Sequence, residues 1–118
     1  MPQDTDTSAL QAGIPPLEGL LPMLHQALAE TLEDRMDRLV LFGSRARGDA
    51  GPDADVDVLV VVKDEPDYGD LIQRTSRLVS ELSLGFDVVI SRAFVSRERF
   101  ENEQSPFLIN VRREGVLV

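Results

Sequence analysis

Apolar residues recur at helical spacing in the first third of the chain and again in the middle. The first stripe predicts a helix over 17–34, although Pro22 could move its start to about Leu21. The second stripe predicts an amphipathic helix over about 67–83 that ends near Gly85. The leucines of the first stripe are Leu17, Leu20, Leu21, Leu24, Leu28 and Leu32, and the second consists of Leu71, Thr75, Leu78, Val79 and Leu82.

Short continuous apolar runs between these stripes predict buried strands. The runs predict strands over 38–43, 55–62 and 86–90, with a last strand at 116–118. A short helix is expected at 96–102, and Ser105-Pro106 is typical of the N-cap and first residue of a final helix that ends at Gly115. The order α-β-β-α-β-α-α-β predicts an α/β (α+β) domain with one mixed sheet of about four strands and helices packed on it.

The polar residues 1–14 are predicted to form a flexible tail, and residues 15–118 a single domain. No apolar stretch approaches the ~20 residues that cross a bilayer, and there is no secretory leader pattern, so we expect a cytoplasmic protein without a membrane partner. The absence of cysteine excludes disulfides and thiolate chemistry. A net charge of −9 argues against broad nucleic-acid binding.

Candidate chemistry lies at the junction of the first two strands. Gly43-Ser44 ends the first strand, and Asp55 and Asp57 follow after ten intervening residues, at the start of the second strand. Alternate residues of a strand project to the same side, about 7 Å apart, so the two carboxylates would repel one another unless cations lie between them. The N–H groups that begin at Gly43-Ser44 suit phosphate. The pattern favours metal-dependent chemistry on a nucleotide.

Each half of this pattern also has an ordinary structural explanation. Gly-Ser is a common turn, and two acids at a strand start can simply be solvated. Asp87 favours the functional interpretation over the structural one, because it is the one acid within the apolar run Phe86–Ile90. If that strand neighbours 55–62, Asp87 completes a carboxylate triad; the alternative is an acid at a strand end that faces water.

These motifs resemble the minimal nucleotidyltransferases of the DNA-polymerase-β-like superfamily, and among them the small antitoxin-type members found beside all-helical HEPN toxins. The resemblance covers about 17–118. It implies the polymerase-β-like fold and Mg²⁺-dependent transfer of AMP from ATP to a tyrosine of the partner toxin. It is carried by Phe42–Gly48, by Asp55–Val58, by Asp87–Val89 and by the tail from Pro106 to Val116.

The resemblance also implies a role for each matching residue. Asp55 and Asp57 would bind two Mg²⁺ ions, and Asp87 would bind the ion near the incoming hydroxyl and position or deprotonate that hydroxyl. Gly43 and Ser44 would hold the β- and γ-phosphates, and Arg47 would neutralise the triphosphate. Arg45 occupies a position that varies in the family, so the resemblance assigns it no role. The chain departs from the pattern at Ala54, which replaces the serine that many members have before the first aspartate.

Other functions stay open at this point. The acceptor could be a tRNA or a small molecule such as an aminoglycoside, or the domain could neutralise its partner by binding alone. A purely structural module with solvated acids is a further alternative. The apolar residues near the end exceed what a short segment must bury, so some are expected to form a surface for a partner or a second copy; they are Phe107, Leu108, Val116, Leu117 and Val118.

Overall fold

A single four-stranded mixed sheet organises the computed structural model, which describes residues 17–51 and 53–118. The predicted tail 1–14 lies outside the described residues. The sheet order is β3-β2-β1-β4; β1 is antiparallel to β2 and β4, and β2 is parallel to β3. This confirms the predicted mixed sheet. The strands are β1 (Met36–Phe42), β2 (Val56–Val62), β3 (Ile90–Ser96) and β4 (Val116–Leu117).

Five helices accompany the sheet in the described part of the chain. They are α1 (Leu20–Leu32), α2 (Ser44–Arg47), α3 (Tyr68–Phe86), α4 (Arg97–Asn102) and α5 (Pro106–Glu114). Short 3₁₀ turns at Leu17–Gly19 and Glu33–Arg35 flank α1. Pro22 is tolerated because it lies in the first turn of α1, where backbone N–H groups have no partner within the helix. In the described ranges, none of the helices combines the length and the apolar character needed to span a membrane.

The two faces of the sheet bury different elements. One face packs against α1 and α3, through the leucines of α1 and alternate residues of the strands such as Val58, Val60 and Phe94. The other face carries a smaller cluster in which Leu59 and Val61 pack against α4 and α5. Because strand side chains alternate, the odd-numbered positions of β2, including Asp57, belong to this second face.

The strand predicted over 86–90 is wrong. Helix α3 continues through Gly85 to Phe86, and the strand lies at Ile90–Ser96. Phe86 is buried and lies seven residues after the buried Val79, so it extends the apolar stripe of α3. Asp87 then ends the helix in the left-handed conformation (φ 53°, ψ 52°), which aspartate tolerates better than most residues.

Serine caps begin the two helices of the second face. The Ser96 hydroxyl accepts a hydrogen bond from the Arg99 N–H, and the Ser105 hydroxyl accepts one from the Leu108 N–H. Pro106 is the first residue of α5, as predicted. These caps set where α4 and α5 begin and so how they lie on the sheet.

Asp37 at the start of β1 joins the sheet to α4 through two arginines. Its carboxylate accepts hydrogen bonds from Arg38 (2.6 Å) and Arg97 (2.9 Å). Burial alone would raise the pKa of Asp37, but the hydrogen bonds and charges of these arginines outweigh burial and hold that pKa below its ordinary value.

We expect Asp37→Asn to lower the free energy of unfolding by about 1 kcal/mol near pH 7, because both arginines are partly exposed. Because the pKa of Asp37 is lower in the folded protein than in the unfolded chain, its ionised carboxylate stabilises the fold at pH values above the unfolded-state pKa. This stabilisation is lost as the pH falls through the folded-state pKa. The deficit should therefore shrink toward pH 3. Urea unfolding at several pH values measures this loss of unfolding free energy, and Asp34→Asn, at an exposed position, is the control. A loss that does not change with pH would contradict the lowered pKa of Asp37.

Candidate active site

The candidate site lies where β1 ends and β2 begins. These strands are antiparallel neighbours, so the carboxyl end of β1 meets the amino end of β2, and Phe42 pairs directly with Asp57. Gly43 follows Phe42, and Asp55 immediately precedes β2. The fold thus brings together the two halves of the sequence motif.

Gly43 lies against the Asp57 carboxylate. Its backbone has φ 76° and ψ −160°, a conformation that L side chains rarely adopt. A Cβ atom at this position would overlap Oδ2 of Asp57 and would lie 3.3 Å from its Cγ. Only glycine therefore allows the chain to turn from β1 into α2 while the carboxylate stays where it is.

The short helix α2 begins directly after this turn. The Gly43 carbonyl accepts hydrogen bonds from the N–H groups of Ala46 (3.1 Å) and Arg47 (3.2 Å). Among the residues that the structure describes, no side chain caps the N-terminus of α2. Its first backbone N–H groups are therefore available to an anion placed beside Gly43 and Ser44.

Asp55 and Asp57 place two negative charges at this junction. Asp55 is exposed and Asp57 is partly buried. Burial raises the pKa of Asp57, and the nearby charge of Asp55 raises it further. Within residues 17–51 and 53–118 neither carboxylate has an ion-pair partner.

Two unpaired carboxylates of this kind fit a hard divalent cation. Mg²⁺ takes one or two protein carboxylates and completes its coordination with substrate phosphates and water. A bound cation would also relieve the repulsion between Asp55 and Asp57. Groups of three or more acidic or histidine side chains that could hold a metal do not occur in the described part of the chain.

Arg47 lies at the end of α2 and is half-exposed. It approaches Asp49 (3.3 Å) and Glu114 of α5 (3.8 Å). Exposed ion pairs of this kind contribute little to stability, so the guanidinium could exchange these carboxylates for a phosphate at small cost. It also lines a cleft of about 150 Å³ together with Gly43 and Phe107.

Arg45 has a role that sequence reasoning missed. Its guanidinium donates hydrogen bonds from Nε (3.0 Å) and Nη2 to the backbone carbonyl of Ala54. The contact ties α2 to the residue just before Asp55. A side chain that binds a backbone carbonyl leaves no pattern in residue types, so the sequence offered no signal for it.

We expect Arg45→Ala to reduce the activity of the site about tenfold or more, as loss of outer residues that orient ligands commonly does. The loop before β2 would lose its attachment to α2, and Asp55 would be less well positioned. Hydrogen–deuterium exchange of a peptide spanning residues 53–58 should increase. The matched control is Arg77→Ala, whose side chain is 91% exposed on α3. Unchanged exchange in Arg45→Ala would contradict the positioning role.

Asp87 lies outside the group formed by Gly43, Asp55 and Asp57. It is exposed at the C-terminal cap of α3 and lines a groove of about 400 Å³ with Asp53, Ser83, Leu84, Val88 and Val89. Its predicted place in a strand beside Asp57 was therefore wrong. Its role as a third metal ligand stays a prediction.

Comparison with known proteins gives one family. A family model described as a nucleotidyltransferase domain matches residues 24–117. Two proteins of Methanocaldococcus jannaschii, each named a putative protein adenylyltransferase, are similar in sequence. One is 42% identical over 64 residues, which cover 54% of this chain and 64% of the relative. The other is 34% identical over 90 residues, which cover 75% of this chain and 84% of the relative. The chain thus spans less than two thirds of the first relative.

Solved structures share the fold. The structure of a putative minimal nucleotidyltransferase superposes with a TM-score of 0.53 at 26% identity, covering 86% of this chain and 95% of that one. A toxin–antitoxin crystallised with AMP-PNP superposes with a TM-score of 0.52 at 20% identity, covering 80% of this chain and 68% of that one. The second likeness concerns the fold alone. Together they agree with the predicted small α+β nucleotidyltransferase architecture.

Proposed function

Because this chain belongs to the nucleotidyltransferase domain family, we propose that it transfers AMP from ATP to a hydroxyl group of a protein partner. The observation that carries the proposal is the close approach of Gly43 to the Asp57 carboxylate at the uncapped start of α2. A phosphate-binding turn and a cation-binding carboxylate are thereby placed side by side. Nucleotidyl transfer needs that combination, because the triphosphate and its metal must be held together.

Different residues bind different parts of the nucleotide and its metal ions. The N–H groups at Gly43 and Ser44 bind the β- and γ-phosphates, and Arg47 leaves Asp49 and Glu114 to neutralise the triphosphate. Asp55 and Asp57 hold Mg²⁺, with two ions expected. When bound, such ions stabilise the attacking and leaving oxygens of an in-line displacement.

The reaction exchanges one phosphorus–oxygen bond for another. The acceptor oxygen forms a bond to the α-phosphorus, and the bond from that phosphorus to the oxygen bridging to the β-phosphate breaks. Pyrophosphate leaves, and the proton of the acceptor hydroxyl passes to solvent. The chain's own contribution is to keep the triphosphate extended along the start of α2, so that its α-phosphate faces the acceptor.

We further propose that the acceptor is a tyrosine of an all-helical HEPN toxin, so that the chain acts as an antitoxin. The names of the two similar proteins support a protein acceptor, and the resemblance to antitoxin-type members supports the toxin. A partner also needs a surface. Of the apolar residues near the end, Leu108 is buried, whereas Phe107, Val116 and Leu117 are 46%, 48% and 69% exposed. Exposed apolar side chains of this size suit a protein contact.

Intact-mass measurement tests the proposal. The chain is incubated with ATP, Mg²⁺ and a HEPN-type protein encoded beside it, and the partner should gain the mass of one or more AMP groups. Wild type with a chelator and Asp57→Asn with Mg²⁺ are the controls, and both should leave the partner unmodified. If an added tRNA or aminoglycoside is modified instead, the acceptor is that molecule and not the protein partner. If the chain binds the partner tightly without any mass change, it neutralises the partner by binding and not by nucleotidyl transfer.

A further inference from the structure

Two exposed apolar side chains line one groove at the end of α3. Leu84, near the end of the helix, is 81% exposed, and Val89, just before β3, is 60% exposed. The groove has a volume of about 400 Å³, and its other lining residues are Asp53, Ser83, Asp87 and Val88. Exposed apolar side chains that share one concave surface, unlike isolated ones, mark a candidate docking surface.

This groove, hereafter the α3 groove, adjoins the candidate active site. The Val89 carbonyl accepts a hydrogen bond from the Val56 N–H (2.9 Å), and Val56 lies between Asp55 and Asp57 in the chain. Asp53, which lines the groove, precedes Asp55 by two residues. The groove therefore opens beside the strand start that carries the two carboxylates.

The α3 groove and the proposed phosphate-binding turn lie on opposite sides of β2. In the sheet order β3-β2-β1-β4, strand β1 leads into Gly43 on one side of β2, and Val89 leads into β3 on the other side. In an in-line displacement the attacking oxygen approaches the phosphorus from the side opposite to the leaving group. If pyrophosphate leaves on the side of Gly43, the acceptor hydroxyl arrives from the side of the α3 groove.

The residues that line the groove suit a peptide segment and not a triphosphate. Asp53 and Asp87 are exposed carboxylates, and no Lys or Arg lines the groove among the residues that the structure describes. Negative charge of this kind repels phosphates and attracts a Lys or Arg side chain. Leu84 and Val89 offer an apolar contact beside that cation. The volume lies at the small end of ligand pockets, which span about 300–1,000 Å³, so the groove fits a short segment.

We propose that the α3 groove binds the segment of the protein partner that carries the acceptor hydroxyl. Leu84 and Val89 contact an apolar side chain of that segment, and Asp53 pairs with a Lys or Arg close to the hydroxyl. The inference rests on the proposed function for the reaction, and it adds the residues that select the acceptor and the chemistry of the acceptor segment. Asp87 lines the same groove, which agrees with its predicted role at the ion near the incoming hydroxyl.

Leu84→Ser and Asp53→Lys test the two contacts separately. The value of kcat/KM for AMP transfer to the HEPN-type partner should fall at least ~10-fold in each variant, because one loses an apolar contact and the other brings like charges together. Titration calorimetry should show an affinity of Leu84→Ser for ATP with Mg²⁺ within about twofold of wild type, since an exposed residue away from the nucleotide has a small effect on its binding. Asp53→Lys should not weaken this affinity.

Two exposed positions outside the groove provide matched controls. Met23→Ser on α1 and Asp64→Lys near the opposite end of β2 make the same kinds of change and should keep the wild-type kcat/KM. Wild-type kcat/KM in both groove variants would overturn the inference. A tenfold loss of ATP affinity in Leu84→Ser would also overturn it, because the groove would then hold the nucleotide base. A wild-type dimer that Leu84→Ser converts to a monomer, with unchanged kcat/KM, would assign the groove to a second copy.

The charge of the acceptor segment provides a second test. Peptide mapping of the modified partner locates the residue that bears AMP, and a Lys or Arg should lie within about three residues of it, a distance that an extended segment spans along the groove. Replacing that basic residue by Glu should lower transfer by wild type at least ~10-fold, and Asp53→Lys should restore it. A modified residue without a basic neighbour, or a charge swap that restores nothing, would contradict the pairing with Asp53.

The outcomes separate this inference from the proposed function. If wild type transfers AMP to the partner and both groove variants do so equally well, the function holds and the inference fails. If wild type transfers no AMP, the proposed function fails, and calorimetry of partner binding then tests the groove. Weaker binding by Leu84→Ser and Asp53→Lys than by wild type would support the docking site, whereas equal or absent binding would contradict it.

Discussion

Asp57→Asn is expected to lower nucleotidyl transfer by about a thousandfold or more, because metal ligands at phosphoryl centres act on the charge of the transition state. Asp57 lies between Phe42 of β1 and Ser91 of β3 and is the more buried of the two strand-start acids. The amide keeps the shape of the side chain and removes its charge. ATP binding in the presence of Mg²⁺ should fall together with the rate.

The same substitution should make the metal-free protein more stable. The pKa of Asp57 is raised by burial and then by Asp55, so the ionised carboxylate disfavours the folded state in the absence of a cation. Mg²⁺ with ATP should raise the melting temperature of wild type and not of the variant. Asp64→Asn is the matched control, since Asp64 is exposed near the opposite end of β2. Near-wild-type transfer by Asp57→Asn would contradict the assigned metal site.

Gly43→Ala is expected to have the second-largest effect. The new Cβ would overlap the Asp57 carboxylate, and the backbone conformation of Gly43 (φ 76°, ψ −160°) adds about 1–3 kcal/mol of strain for a non-glycine residue. Either the carboxylate or the start of α2 must move. We expect transfer to fall about a hundredfold, as a shift of about 1 Å at a reacting centre does.

Gly48→Ala is a control for the positive φ without the collision. Gly48 has φ 82° in the left-handed region, and no atom of the described residues lies within 4 Å of the position of its Cβ. This variant should lose about 1–2 kcal/mol of unfolding free energy through left-handed backbone strain while retaining most activity. Urea unfolding and single-turnover transfer measure the two properties. Equal activity losses in the two glycine variants would show that contact with Asp57 is not the cause.

Much of the fold could be predicted because its pattern is local. The strands β1 and β2 are nearly continuous apolar runs, and the cap at Ser105-Pro106 is a local signal for a helix start. The juxtaposition of Gly43 and Asp57 followed from two strands joined by a short connection. The predicted boundaries of these elements lie within two residues of the observed ones.

The end of α3 could not be predicted for a physical reason. Phe86 fits the apolar face of a helix and also the start of an apolar strand, so the sequence is compatible with both. Packing of Phe86 in the core determines that it belongs to the helix. The true strand β3 contains the polar Ser91 and Arg92, which obscured it. Arg92 faces α3, where it donates to Thr75 Oγ1 (2.7 Å) and to the Ile72 carbonyl (3.0 Å), so a charge lies where an apolar residue was expected.

The same error affected the predicted position of Asp87. It was expected within a strand beside Asp57, whereas it caps the end of α3 and Ser91 pairs with Asp57 in the register of β3. Its role as a third metal ligand stays a prediction. Arg45 was equally hidden, since its partner is a backbone carbonyl. Sequence patterns thus identified the site residues that lie on contiguous segments. Residues that meet only through strand register or through backbone contacts could be identified only from the folded structure.

Transfer of isotopic label from ATP tests the central claim most directly. The chain, Mg²⁺ and the helical partner are incubated in parallel with ATP labelled at the α-phosphate and ATP labelled at the γ-phosphate. We predict that only the α-label becomes bound to the partner, that pyrophosphate carries the γ-label, and that Asp57→Asn transfers neither. Transfer of the γ-label, or α-label transfer by Asp57→Asn equal to that of wild type, would contradict a nucleotidyltransferase that works through this site.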